Sequence, residues 1–198
     1  MTRIIAGTAG GRRLETPKGD RTRPTSDRVR EALFSAIESW AGSLQGLRVL
    51  DLYAGSGAIG LEAWSRGAEA VTLVESDRRT ADLIRRNADL IGCRADVRPA
   101  AVAAALAAAP TAPYDLVFSD PPYPLPDDEL AEDLALLVVH GWLAPGALVV
   151  VERGSRSPEP AWPAGIDPLP GKRGMKKYGE TRLWYATAGD AGPAQPLR

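Results

Sequence analysis

The sequence predicts an α/β protein built on a parallel sheet with helices on both faces. From Leu47 onward, short apolar runs alternate with helical segments, the pattern of strand–helix–strand units. Gly55, Gly57 and Gly60 directly follow the first of these runs in the order G-x-G-x-x-G, where such sheets turn from strand into helix. The 198 residues make one domain the default, long enough to bury a core unaided.

The elements follow in order. "RIIAG" and "GRRLETP" read as two short strands joined by a glycine-rich turn from Thr8 to Gly11. Pro24 ends this extended stretch. "RPTSDRVREALFSAIESW" then reads as a helix capped by Thr25 or Ser26, with Val29, Leu33, Phe34 and Ile37 at helical spacing. "LRVLDLY" is a buried strand, "GLEAWSRG" a helix ending at Gly67, and "AVTLVES" a second strand. "DRRTADLIRRNADLIG" is a helix with apolar Leu83, Ile84, Leu90 and Ile91. "ADVRPA" is a weak strand, and "AAVAAALAAAP" is helical by propensity. "YDLVFSD", "DDELAEDLALLVVHGWL" and "GALVVVER" continue as strand, helix and strand. A Pro/Gly-rich loop follows Arg153, holding a poor strand near Ile166. "ETRLWYAT" reads as the final strand, and residues 188–198 as a loose tail.

Composition narrows the setting. No window approaches the ~18 apolar residues of a membrane span. The N-terminus lacks the apolar core of a secretory signal, and the single cysteine, Cys93, fits a reducing cytoplasm. His140 is the sole histidine, which excludes histidine-based triads and histidine-rich metal sites; no metal is expected. Net charge is −1, yet residues 1–30 hold eight basic and three acidic side chains, a local +5. That asymmetry fits either a polyanionic partner or a solvated surface.

Asp51 decides between two cofactors. It ends the first main strand, four residues before Gly55, while Glu75 closes the second strand, where it can accept bonds from ribose hydroxyls. A dinucleotide and S-adenosylmethionine both carry that ribose. A pyrophosphate beside Asp51 would suffer like-charge repulsion. S-adenosylmethionine has no phosphate and carries a sulfonium and an ammonium, which a strand-end carboxylate suits. A plain loop cap is the structural alternative for Asp51, and the glycine pattern alone is a weak signal.

"FSDPPYP", residues 118–124, is more specific. Proline cannot continue a sheet and extends the residue before it. Asp120, Pro121, Pro122 and Tyr123 therefore form a stiff lip with a carboxylate, a carbonyl and an aromatic face. An exocyclic amine on a nucleobase needs those three. Asp120 and the Pro121 carbonyl accept its two N–H groups, and Tyr123 stacks on the base for roughly 1–3 kcal/mol.

On these blocks the chain resembles the class I methyltransferases with an Asp-Pro-Pro-Tyr motif. More closely, it resembles the RsmD family of 16S ribosomal RNA guanine-N2 methyltransferases. The likeness runs through "RIIAG", "TRPTSDRVREALF", "LDLYAGSGAIGLEAWSRGA", "LVESD", "DLVFSDPPY" and "KYGETRLWY", over most of residues 3–186. The resemblance implies a Rossmann-like sheet of seven strands, mostly parallel with the last antiparallel, and a small N-terminal hairpin. It implies a basic hairpin arm over residues 1–24, a methyltransferase domain over 25–187 and a tail over 188–198. The implied catalytic residues are Asp120, Pro121 and Tyr123. The implied cofactor set is Asp51, Tyr53, Gly55, Gly57 and Glu75. Such enzymes usually carry Asp or Asn after the third strand to hold the adenine amine; here alanines stand there. Backbone groups of Ala101 and Val102, or the side chain of Asp96, are the remaining adenine contacts. The substrate implied is 16S ribosomal RNA, within a small ribosomal subunit or its assembly intermediate. Arg12, Arg13, Lys18, Arg21 and Arg23 are the candidate phosphate contacts, and the resemblance implies that Arg23 to Thr25 lie near the active-site entrance. Lys172, Arg173, Lys176 and Lys177 form a second basic cluster.

Three other readings share some of these features. An N6-adenine methyltransferase uses the same lip, but the chain has no room for a large DNA-recognition domain. A protein glutamine methyltransferase is disfavoured by the basic arm. A non-catalytic RNA-binding protein needs neither Asp120 nor Glu75, and fails to bind S-adenosylmethionine.

Overall fold

The structure, a computed structural model, describes residues 2–17 and 26–189. Lys18, Arg21, Arg23, Pro24 and Thr25 lie outside the described residues.

Ten strands and five helices follow in order among the described residues. They are β1 (Thr2–Arg3), β2 (Arg13–Leu14), α1 (Asp27–Ala41), β3 (Arg48–Leu52), α2 (Ala58–Ser65), β4 (Ala70–Val74), α3 (Arg78–Ile91) and β5 (Asp96–Arg98). Next come α4 (Val102–Leu106), β6 (Tyr114–Ser119), α5 (Asp127–Val139), β7 (Leu143–Gly154), β8 (Ile166–Pro168), β9 (Met175–Tyr178) and β10 (Thr181–Ala188). β1 and β2 pair as a small antiparallel hairpin.

The main sheet runs β5-β4-β3-β6-β7-β10-β8, with β9 also on β10. β5, β4, β3, β6 and β7 are mutually parallel, whereas β10 is antiparallel to β7. The expected mostly parallel sheet with an antiparallel last strand is therefore present, with eight strands in place of seven. Its far edge is shared by two short strands: β9 pairs with residues 181–184 of β10 and β8 with residues 186–188. β9, "MKKY", has no apolar alternation, and backbone pairing to β10 holds it. Lys176 and Lys177 are exposed on this edge, where lysines discourage further strand addition.

One face of the sheet packs against α1, whose Val29, Leu33, Phe34 and Ile37 join Val49, Phe118 and Val150 in the core. The opposite face packs α5 through Leu130, Leu134 and Leu137 onto Val117, Val149 and Val151. Ser26 caps α1, accepting from the Val29 N–H at 3.3 Å. Leu90, expected in the apolar stripe of α3, is 53% exposed, whereas Leu83 and Ile84 are buried and Ile91 packs against the core beneath the hairpin. The alanine-rich helix is only five residues long, since its small side chains bury little and no side chain caps its start.

The hairpin is docked on the body. Glu62 of α2, fully buried, accepts from the Ile5 and Ala6 N–H groups at 2.7 and 3.0 Å and from Arg66 Nε at 2.8 Å. Arg30 of α1, equally buried, donates to the Arg3 carbonyl and to Asp27, both at 2.7 Å. Asn87 of α3 bonds both main-chain groups of Glu15 and the Ser56 carbonyl.

Candidate active site

Strand order reverses at β3, whose neighbours are β4 on one side and β6 on the other. The crevice beyond the carboxyl ends at such a reversal is the ligand site of open α/β sheets. Here it is a cleft of about 1240 Å³, lined by Asp51, Glu75, Asp120 and Glu152 from the ends of four strands. Register explains their convergence. Asp51 pairs with Phe118 and Ser119 with Val151, so Asp120 and Glu152 follow side by side. Alternate residues share a face, which puts Asp51, Asp120 and Glu152 on the face of Phe118 and Val150.

Asp51 is buried, and its Oδ2 accepts from the Gly60 N–H at 2.9 Å. Burial pushes its carboxyl up to about 8; the charge of Glu75 adds to this and the Gly60 bond opposes it. A bound cation would favour its ionised form. Glu75 is fixed by two main-chain donors, Gly55 N–H on Oε2 and Asp77 N–H on Oε1, both at 2.9 Å. Gly57 has φ +80° and caps α2 in the left-handed region. Gly60 serves packing: a Cβ there would stand 2.8 Å from Leu73. Asp51 thus lines the cleft and also caps the start of α2.

Tyr53 is the one non-glycine among the described residues with positive φ, at 58°. Its hydroxyl donates to Asp133. It lines the main cleft and a second cavity of about 460 Å³ that also touches Glu75, Ala101 and Val102. The residues therefore fit S-adenosylmethionine: a buried carboxylate for the cationic end, Glu75 between the two cavities, and an alanine-walled cavity beyond for a ring. Asp96 lines neither cavity; it pairs with Arg98 at 2.9 Å and accepts from Thr72.

The lip is held at both ends. The Asp120 N–H donates to the Leu52 carbonyl at 3.4 Å, and Leu125 N–H to the Pro122 carbonyl at 2.9 Å. Arg153 donates to the Leu125 carbonyl at 3.2 Å and to Asp127 at 2.6 Å. Tyr123 is 82% exposed, and the edge of its ring lies close to Gly154. It is not packed inward. Burial, followed by the charges of Glu152 and Asp51, holds Asp120 well above the usual carboxylate range.

Comparison with known proteins agrees with this geometry. The family described as conserved hypothetical protein 95 matches residues 2–187. The chain is 42% identical to ribosomal RNA small subunit methyltransferase D of Escherichia coli K12, over 82% of this chain and 79% of that protein. It is 37% identical to the protein of the same name from Haemophilus influenzae, over 79% and 80%. The solved structure of Escherichia coli yhhF superposes with a TM-score of 0.83 at 34% identity, covering 96% of this chain and 99% of that one.

The chain belongs to this methyltransferase D family.

Its activity is methyl transfer and its cofactor is S-adenosylmethionine, as the family and the fold indicate. Within the methyltransferase D frame, Asp51, Tyr53, Gly55, Asp120, Pro121 and Tyr123 all line the main cleft with Glu75. Gly57 turns the chain behind it, and Ala101 lines the second cavity. Arg12 and Arg13 are exposed on the hairpin, while the hairpin residues that line the cleft are Thr2, Thr16 and Pro17. Lys18, Arg21 and Arg23 fall outside the described residues.

Sequence reasoning missed Glu152, and Ser155 to Ser157 after it, which line the cleft. Alternation in "ALVVVER" puts Glu152 on the face of Val150, but only the pairing register with β6 brings it beside Asp120. Arg30 was counted as surface charge, and it is buried at the back of the cleft.

Proposed function

We propose that this chain methylates the N2 amine of a guanine in small-subunit ribosomal RNA, in the cytoplasm, with a small ribosomal particle as substrate. The supporting observation is a single cleft that joins the buried carboxylate of Asp51 to the Asp120-Pro121-Pro122-Tyr123 lip. The curated relatives named for ribosomal RNA support the substrate class. The +5 charge of residues 1–30 suits a polyanion.

When bound, S-adenosylmethionine supplies an electrophilic methyl on a cationic sulfur. The chain's own residues prepare the amine. An aromatic amine is a weak nucleophile because its lone pair is delocalised into the ring. Asp120 and the Pro121 carbonyl accept its two N–H bonds and orient the lone pair out of the plane. The nitrogen becomes cationic as its bond to carbon forms, and the same two acceptors stabilise that charge. Asp120, with its raised proton affinity, then takes the surplus proton. Tyr123 offers the exposed face on which a base, flipped or single-stranded, can stack.

The test is transfer of labelled methyl to small-subunit particles lacking the modification, followed by nucleoside analysis. Label in N2-methylguanosine is expected; label only in N6-methyladenosine overturns the reading. In the same assay Asp120→Ala should lose at least ~100-fold in turnover, with cofactor affinity little changed. Equal loss of both would make Asp120 a structural residue.

A further inference from the structure

We propose that Glu152 selects guanine, by accepting the ring N1–H of the base whose N2 amine Asp120 and Pro121 hold. This rests on the guanine-N2 reading above and names the residue that enforces it.

Position carries the argument first. β6 and β7 are parallel and in register through Ser119 and Val151, so the next residues, Asp120 and Glu152, stand side by side at the rim. Both line the cleft, with Tyr123 and Gly154 next to them. A base stacked on Tyr123 with its amine at Asp120 therefore brings its neighbouring ring atom toward Glu152.

The chemistry of the bases then discriminates. On its Watson–Crick edge, guanine places a donor, N1–H, directly beside its amine. Adenine and cytosine place an unprotonated ring nitrogen there. Two adjacent carboxylates match two adjacent donors. Set against the lone pair of adenine N1, Glu152 would be repelled and would lose its hydrogen bond. Polar sites built for a donor reject an analogue lacking it far more strongly than apolar pockets discriminate by size. The charge of Glu152 acts against ionisation of Asp120, and a base edge that donates to both carboxylates offsets that repulsion. Specificity and activation of the amine are then coupled, because the base that quenches this repulsion is the base to be methylated.

The experiment uses small-subunit particles reconstituted with guanine or 2-aminopurine at the position the wild-type protein labels. 2-Aminopurine keeps the amine at C2 and lacks the N1 proton. The wild-type protein should prefer guanine by at least ~100-fold. Glu152→Gln should reduce that preference by ~10-fold or more, while Glu152→Asp, which keeps a carboxylate, should retain most of it at a lower rate. Cofactor affinity and thermal melting of both variants should match wild type. An unchanged guanine preference in Glu152→Gln overturns the proposal. So does loss of all transfer to both bases by both variants with cofactor binding intact, which would make Glu152 a participant in the chemistry. Failure of the guanine-N2 reading is separate and visible in the wild type, as an absence of N2-methylguanosine.

Discussion

At the residue scale, the carboxylate of Asp51 carries the strongest pH prediction. Its ordinary value of 3.8 rises to about 8 on burial in the fold. A folded value above the unfolded one means that Asp51 favours folding at low pH. That contribution falls as pH rises from about 4 to about 8, because the unfolded chain gives up the proton first. Binding of a cation works the other way. It favours the ionised group, so cofactor affinity should climb by up to ~10-fold per pH unit and level off near 8. Calorimetric titration between pH 6 and 9 checks this against Asp51→Asn, which also removes the cofactor's own amino-group titration from the comparison. Parallel profiles for the two proteins would contradict the assignment. Asp51, Glu75 and Asp120 were legible from sequence because each ends an apolar run, and a strand end in an α/β sheet points at the ligand crevice. Glu152 was not, because a glutamate followed by an arginine at a strand end reads as solvent-facing until the neighbouring strand is known.

At the scale of elements, three segments meet at Glu62. Its oxygens take main-chain N–H groups of the hairpin and the guanidinium of Arg66, while Arg30 Nη1 stands 3.9 Å away. Both carboxylate oxygens are used, so α2 holds the chain segment that leads into the cleft at Thr2 and Thr16. Replacing this carboxylate leaves two guanidinium groups in or near the interior with a donor facing them. Glu62→Gln should therefore destabilise the fold by about 3 kcal/mol, measured by urea unfolding. A change under about 1 kcal/mol would mean that solvent reaches the network. None of this was readable beforehand. Glu62 lies in the short helix "GLEAWSRG", where an acid beside arginine suggests an exposed pair. α1, α3, α5 and the parallel strands were readable, since the spacing of Leu33, Phe34 and Ile37, of Leu83 and Ile84, and of Leu130, Leu134 and Leu137 agrees with their burial. β9 was not, and α4 was readable as a helix but not in its shortness. One depends on pairing with a strand later in the chain, and the other on how little surface alanine can bury.

At the scale of the whole molecule, charge is divided between a basic N-terminal stretch and a mildly acidic body. The overall charge is −1, although residues 1–30 alone carry +5. Attraction to RNA then comes from one region, and screening should weaken it steeply. Replacing Arg12 and Arg13 by alanine should lower the slope of log affinity against log salt by about 1–2, if each meets a phosphate. It should do so without altering which nucleoside is methylated. Filter binding of small-subunit particles from 50 to 200 mM salt tests this. An unchanged slope would move the phosphate contacts elsewhere, with Arg156 at the cleft rim and the exposed Lys172–Lys177 cluster the next to examine.

The insertion of β10 between β7 and the short strands β8 and β9 has a temporal consequence. A nascent chain emerges amino end first, and everything through Tyr178 is out before the strand that joins β7 to β8 and β9. Until residues 181–188 clear the exit tunnel, β7 stays an open edge and Glu152 lacks its partner in register, Leu183. The sheet is therefore completed out of chain order, by a segment made after β8 and β9 that must pass between them and the parallel strands.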